Sequence, residues 1–492
     1  MPAKERRCST KFPEGNITSA AIIPHWNHLL KTRKNEAMAA TAIQLSPSHV
    51  GLIRAAGEVS PNALEECNKL LRKNHEEWHM FFRDTAGHNH IVHSLLTILA
   101  LGAGPEELKA RYEDGVPIQR AMPSVDSELL GKLRSKEEAG ALYKSISGQV
   151  HQYHTFLEFF QGEISAKGWR EVIQEYLLAR TQVADLLLAR MYEGAYHPII
   201  HLGLGVEFQQ PAIIAEALAQ AAAHDDAGIG TLFHDAEQEA RMAYPSKTPT
   251  SMLALVHQVR ATDAIRNAPR WTDFGNKMRD GIVGRAGEQM ARLASQFCIP
   301  HDEEHLARRT AEMISTCAYF AGAAQAKRKT QGTIKIDFFY MHCVTSAIFF
   351  SVFIKQDWIR LEDRVRLVEW KARLDLAWYA VSGCAVLDGS AIAGYSSPES
   401  DGMGWDELFD AVIKEHDDGH AAKFLRALKN GEDAAKRFQQ GEYSDYFPMK
   451  GDMWLRLARM CQDTTKDRPT DLKWVPFTGF EQPWKRPDLV AQ

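Results

Sequence analysis

The chain has 492 residues, of which 45% are hydrophobic and 25% charged, with a formal net charge of −5. That is apolar material for a large core, in one body or two lobes, and without a basic excess it argues against a nucleic-acid surface. Its cysteines (Cys8, Cys67, Cys298, Cys317, Cys343, Cys384 and Cys461) are scattered and form no CxxC, which suits a reducing compartment better than a disulfide framework.

The opening MPAKERRCSTKFPEGN lacks the apolar stretch of a signal peptide, and the chain reads as cytosolic. Residues 1–39 are expected to be a mobile N-terminal arm. Ala40 to Leu45 is the first of two short strand candidates. Ser60-Pro61 supplies an N-cap and a first-turn proline, and Leu64, Cys67, Leu71, Trp78 and Phe81 follow at helical spacing. A helix over HNHIVHSLLTILAL is expected to stop at Gly102, with Pro105 opening the next. Helical periodicity then recurs over residues 171–192, 212–223, 250–267, 303–327, 360–381 and 405–428. The second strand candidate is 333–336. The longest apolar run, Phe338 to Ile354, is broken by His342, Thr345, Ser346 and Ser351, and predicts a buried helix in preference to a membrane span. A single helical catalytic domain over 40–463, in one body or two lobes, and a Pro-containing tail over 464–492 complete the reading. The expected class is mainly α, a large multi-helix body with few short strands.

Histidines are the chemistry-bearing feature. With 20 of them in 492 residues, chance supplies roughly one pair at any given spacing, so spacing alone decides nothing. Context does. His75/His79, His301/His305 and His416/His420 lie in charged or turn-like sequence and are expected at the surface; the pairs His25/His28 and His151/His154 share the spacing but are not among the candidates. By contrast, His90 and His93 sit among Ile91, Val92, Leu95 and Leu96. His197 and His201 flank Pro198-Ile199-Ile200, with the proline expected to start a helix and His197 to cap it. His342 lies inside the most apolar run. Buried imidazole nitrogens need partners, and a shared metal would satisfy several at once. Imidazoles without thiolates suit Fe, Cu, Ni or Zn. An anionic ligand is expected as well, from Asp337, Glu207, Glu369 or Asp375, or from Lys371 if it lost its proton and took up carbon dioxide.

Four ordered motifs carry a family resemblance: N-H-x-x-H-x-L-L at Asn89 to Leu96, H-P-x-I-H-L-G at His197 to Gly203, D-F-F-x-M-H at Asp337 to His342, and W-K-x-R-x-D at Trp370 to Asp375. Together they resemble the questin oxidase-like family, fungal enzymes that open anthraquinone rings in polyketide biosynthesis, over a span from about Ala40 to Phe447. The resemblance implies either a non-haem iron dioxygenase or a Baeyer–Villiger-type monooxygenase using NADPH. In the first description iron is held by four histidines and a carboxylated lysine. Carried over, the lysine falls on Lys371 and the histidines among His90, His93, His197, His201 and His342, with His197 expected to be the one outside the set. Arg373 and Asp375 are expected to orient the carbamate. Phe159, Phe160, Phe208, Phe338, Phe339 and Tyr340 are expected as pocket walls, and Glu158 or Glu163 as a base. Fe(II), O2 as co-substrate and NADPH consumed by a separate reductase are the implied cofactors and partner. Neither Gly203-Leu204-Gly205 nor the Gly281, Gly284, Gly287 series follows a strand, so no dinucleotide fingerprint is present. Two other classes fit the histidines alone: a Zn hydrolase of an ester or lactone, and a non-catalytic helical binding protein.

Overall fold

The computed structural model describes residues 40–490 apart from 50, 54–58, 85–86, 136–138, 244–249 and 326–333. The N-terminal arm, the His25/His28 pair and Thr333 lie outside the described residues. The rest is mainly α. Among the described residues the only β pairing is three isolated bridges, Trp78 with Ala121, Phe81 with His88, and Asp337 with Val475. The expected strand over Ala40 to Leu45 is irregular backbone instead, because the Leu45 amide donates to the Asn68 side chain and that of Gln44 to the Gln210 side chain.

Eight helices position the centre. They are α1 Pro61–Glu77, α2 Ile91–Ala100, α3 Tyr153–Lys167, α4 Glu193–Glu207, α5 Pro211–Ala223, α6 Phe338–Phe353, α7 Leu361–Val381 and α8 His420–Ala435. Ser60 caps α1 as expected, its hydroxyl accepting from the Ala63 amide at 3.1 Å. All of α2 and α5 is buried, so neither presents a face to solvent. The long apolar run forms α6 in the interior, and no helix among the described residues is long and apolar enough to cross a membrane.

Three expected long helices are broken. The 250–267 pattern splits at Thr262, between Met252–Ala261 and Asp263–Arg266. The 171–192 pattern splits at residues 179–181, where Arg180 takes φ 58° and reaches Asp363 at 2.7 Å, and Thr181 caps the next helix. The 405–428 pattern splits into Trp405–Val412 and α8, with Gly419 between them at φ 88°. A Cβ on Gly419 would lie 2.9 Å from Ser94 Cβ on α2, so only glycine both turns the chain and admits α8 against α2. Beyond residue 464 the chain packs on the body. Trp474 and Thr478 are buried, and Asp337 accepts from the Thr478 amide at 2.7 Å.

Candidate metal centre

Four sequence-distant segments meet at one buried cluster of imidazoles: residues 88–93 entering α2, the start of α4, α6, and the start of α8. The entry to α4 is backbone-driven. Gly194, Ala195 and Tyr196 all take positive φ (55°, 55° and 70°), and right-handed turns resume at His197-Pro198. A Cβ on Gly194 would lie 2.6 Å from His88 Cε1, so the glycine is also where α4 approaches the cluster.

The protons of these rings follow from their partners. His197 Nδ1 lies 2.5 Å from the Gly194 carbonyl and His342 Nδ1 lies 2.7 Å from the Phe338 carbonyl. A carbonyl only accepts, so both Nδ1 atoms carry hydrogen and both Nε2 atoms are lone pairs. His420 Nδ1 donates to Asp418 at 2.5 Å, which leaves its Nε2 a lone pair as well. Yet His420 Nε2 faces His342 Nε2 at 3.1 Å, two acceptors with no proton to share. His90 Nε2 lies 2.7 Å from His197 Nε2, and the ligand atoms of His90, His197 and His420 lie within 4.8 Å of one another. Burial, reinforced by Lys423 and, for His90, His197 and His342, by neighbouring imidazoles, holds the pKa values of His90, His197, His342 and His420 well below the usual range, so a second proton does not resolve the conflict. A shared cation would. Two nitrogens each about 2.1 Å from one ion and at right angles are about 3 Å apart.

Lys423, one turn after His420 on the same face of α8, is the second unsatisfied feature. It is 3% exposed and its Nζ has no hydrogen-bond partner. Burial lowers its pKa to about 8, with Asp418 and Asp417 opposing. Asp418 stands beside it as the acid of the centre, bonded to His420 and 3.9 Å from His90 Nδ1. His88 adds a further ring, stacked at 4.2 Å on His197 with its Nε2 3.1 Å from His224 Nε2.

His93 and His201 stand beside this set. His201 has both nitrogens engaged, Nε2 with Glu216 at 2.7 Å and Nδ1 with His93 Nε2 at 3.1 Å. Lys371 is not brought to the histidines. Its Nζ lies 2.5 Å from both Asp375 carboxylate oxygens, 3.0 Å from the Cys343 carbonyl and over the Tyr196 ring, all fully buried. Burial works against its charge, but Asp375 overrides that and raises the pKa, so Lys371 is a buried ammonium. Asp375 is thus its counter-ion, and Arg373 pairs with Glu369. The other candidate carboxylates are likewise committed: Asp337 caps α6 through the Phe339 and Tyr340 amides, Glu207 pairs with Arg426, and Glu369 accepts from the Ile299 amide.

Of the expected pocket aromatics, Phe338 reaches the centre, with ring centroids 4.5 Å from His342 and 5.6 Å from His420. Phe159 and Phe160 pack on Tyr176, Phe208 sits by Arg426, Phe339 stacks on Trp378 and Phe477, and Tyr340 on Tyr379. Glu158 is half-buried beside His154, and Glu163 accepts from Tyr176 and Lys167. His301 and His305 are outside the core as expected. Three other histidines correct the surface reading: His75 and His79 are buried at 7% and 4% exposure, and His420 at 1%. Glu216, the Phe81 amide and Asp418 give those three rings polar partners that linear sequence hides. Sequence reasoning also passed over His88, His224, Glu216 and Lys423. Signals existed: a lone acid in the all-apolar PAIIAEALAQAAA, and a glycine directly before His420.

Fold and centre define a mainly α protein organised around a buried cluster of neutral imidazoles. Comparison with known proteins makes this specific. The family model described as questin oxidase-like matches residues 87–428. A Baeyer-Villiger monooxygenase of Cryptosporiopsis sp. (dmxR6) is 70% identical over 453 residues, 92% of this chain and 100% of that protein. The Baeyer-Villiger oxidase AgnL3 of Paecilomyces divaricatus is 62% identical over 450 residues, 92% and 96% of the two chains. The questin oxidase of Aspergillus fumigatus is 43% identical over 449 residues, 90% and 98%. The chain belongs to the questin oxidase-like family and is an oxidoreductase.

Proposed function

We propose that this protein is a non-haem iron-dependent oxygenase that opens a ring of an anthraquinone with O2. The observation that carries the reading is the pair of Nε2 lone pairs of His342 and His420, 3.1 Å apart, beside the His90–His197 contact. The names of the relatives support the substrate class: one acts on questin, and others are called Baeyer-Villiger oxidases.

In this reading His90, His197, His342 and His420 hold the metal, and Lys423 in place of Lys371 is the lysine that is carboxylated. Its neutral Nζ adds to carbon dioxide, forming an N–C bond and releasing one proton, and the carbamate supplies the anion that four neutral imidazoles lack. Bound iron would provide the one-electron chemistry by which O2 and a closed-shell phenol react. The protein's own groups do the rest. The Gly194 and Phe338 carbonyls and Asp418 fix three ring orientations and tautomers. Burial of the rings keeps water out. Phe338 offers an aromatic edge beside His342 and His420 for a planar substrate. NADPH is then consumed elsewhere, by a reductase that delivers the electron-rich reduced anthraquinone.

The test is metal analysis of purified protein combined with turnover under 18O2. Stoichiometric iron and two labelled oxygens in the ring-opened product are expected; full turnover by metal-free protein would sink the iron assignment. The relatives' names favour a second reading, Baeyer–Villiger insertion of one oxygen beside the quinone carbonyl followed by hydrolysis. It gives one labelled oxygen and consumes a reductant in step with product.

A further inference from the structure

Outside the convergent set, five buried side chains form a continuous hydrogen-bonded row whose protons can be placed one by one. The row runs from His93 through His201, Glu216 and His75 to Gln161. Glu216 is 1% exposed and accepts from two imidazoles, His201 Nε2 and His75 Nδ1, each at 2.7 Å. The two histidines, against the pull of burial, hold its pKa down at about 2, so it is a carboxylate. His201 therefore carries its proton on Nε2, and its Nδ1 is a lone pair. The atom facing that lone pair is His93 Nε2 at 3.1 Å, which must donate. His93 Nδ1 is left as a lone pair, and it is buried with no partner in the protein. At the far end Gln161 Nε2 lies 2.8 Å from His75 Nε2, which closes the row.

We propose that Glu216 is a positioning residue that, through His201, holds His93 as its Nε2–H tautomer, so that the unpartnered Nδ1 accepts a hydrogen bond from the phenolic O–H of the substrate. This rests on the anthraquinone reading and names the group of the substrate that is recognised. His93 is placed for it, its ring 5.8 Å from His90 and 6.0 Å from His197, beside the metal-holding rings and not among them. The surroundings of Glu216 argue that it is kept for a purpose other than stability. Every other residue of α5 except Gln220 is Ala, Ile, Leu or Pro, and in such a helix an apolar side chain would serve packing at least as well as a buried acid. An acid that only accepts is what makes both histidines donate toward it and sets the direction of the whole row. A carboxamide breaks that logic, because its N–H₂ turns one of the two imidazoles round; for His201 that reversal ends with an N–H on His93 Nδ1 where a lone pair had been.

The experiment is anaerobic titration of the metal-loaded enzyme with 1,8-dihydroxyanthraquinone and with its dimethyl ether, read by absorbance. Wild-type protein is expected to prefer the phenol by about three- to tenfold, the worth of one hydrogen bond. In Glu216→Gln the preference should fall to within about twofold, and the change in the ratio cancels the bulk of the methyl groups. In parallel, 15N shifts of the histidine rings in zinc-loaded wild-type protein should show His93 Nδ1 without a proton. A wild-type protein that binds both compounds equally, a protonated Nδ1 in the wild type, or an unchanged preference in a Glu216→Gln protein whose own 15N shifts show the proton moved to His93 Nδ1, overturns the proposal. Should the wild type bind neither compound, the anthraquinone reading fails and the hydrogen-bonding role with it, while the 15N shifts still decide whether Glu216 sets the tautomer.

Discussion

Lys371 and Asp375 offer the sharpest separation between a structural ion pair and a metal ligand. Both side chains are fully buried, with Nζ 2.5 Å from each carboxylate oxygen. Removing one partner of such a pair leaves a buried charge uncompensated, which costs about 3–5 kcal/mol. In Lys371→Met the carboxylate of Asp375 keeps donors from Tyr196 Oη at 2.7 Å and Cys317 Sγ at 2.9 Å, so the lower end, about 3 kcal/mol, is expected. With a urea slope of about 3 kcal/mol per molar, the unfolding midpoint of chelator-treated protein should drop by about 1 M. The double variant Lys371→Met/Asp375→Leu removes both charges and should recover most of that loss. Metal bound per folded molecule should stay near the wild-type value in the double variant. A wild-type midpoint in Lys371→Met, or loss of metal from a folded double variant, would show that the lysine serves the centre directly and refute this assignment.

Other outcomes follow from the centre itself. Lys423→Ala should bind iron about 10–100-fold more weakly, and millimolar acetate or formate should restore part of it; unaltered metal affinity by competition with a chelator excludes the lysine as a source of the anion. Stripping the metal should abolish O2 uptake and lower the thermal midpoint, since an ion that binds only the folded state stabilises it in proportion to its free concentration over Kd; an unchanged midpoint argues that the rings hold no ion. Gly419→Ala combines a φ of 88° with a Cβ 2.9 Å from Ser94, so a loss of about 1–3 kcal/mol together with weaker metal binding is expected, read by urea melts and metal analysis. For Glu216 the folded pKa, about 2, lies below its ordinary 4.5. Its stabilisation is therefore complete above pH 4.5 and is lost as pH falls through about 2, and Glu216→Gln should flatten the acid limb of the stability profile between those values.

How far linear sequence reaches can be seen element by element. Ser60-Pro61 and the all-apolar run after Asp337 announced α1 and α6, because caps and apolar periodicity act over one or two turns. The buried state of His93, His197, His201 and His342, and the partly buried state of His90, was legible for the same reason. His420 was not: HDDGH reads as a polar turn, and only the left-handed Gly419 packing on Ser94 carries that ring into the interior. Lys371 and Lys423 show the same limit. Both stand on helices, and which of them reaches the histidines depends on how α7 and α8 pack.

The chain by itself thus determined a mainly α protein with buried imidazoles on three apolar helices, since local propensity and hydrophobic pattern are properties of neighbouring residues. Tertiary structure alone decided which rings converge, which nitrogen of each is a lone pair, and that Lys423 and not Lys371 lies beside them. Those are distances and hydrogen-bond partners between residues up to hundreds of positions apart, and no local preference encodes them.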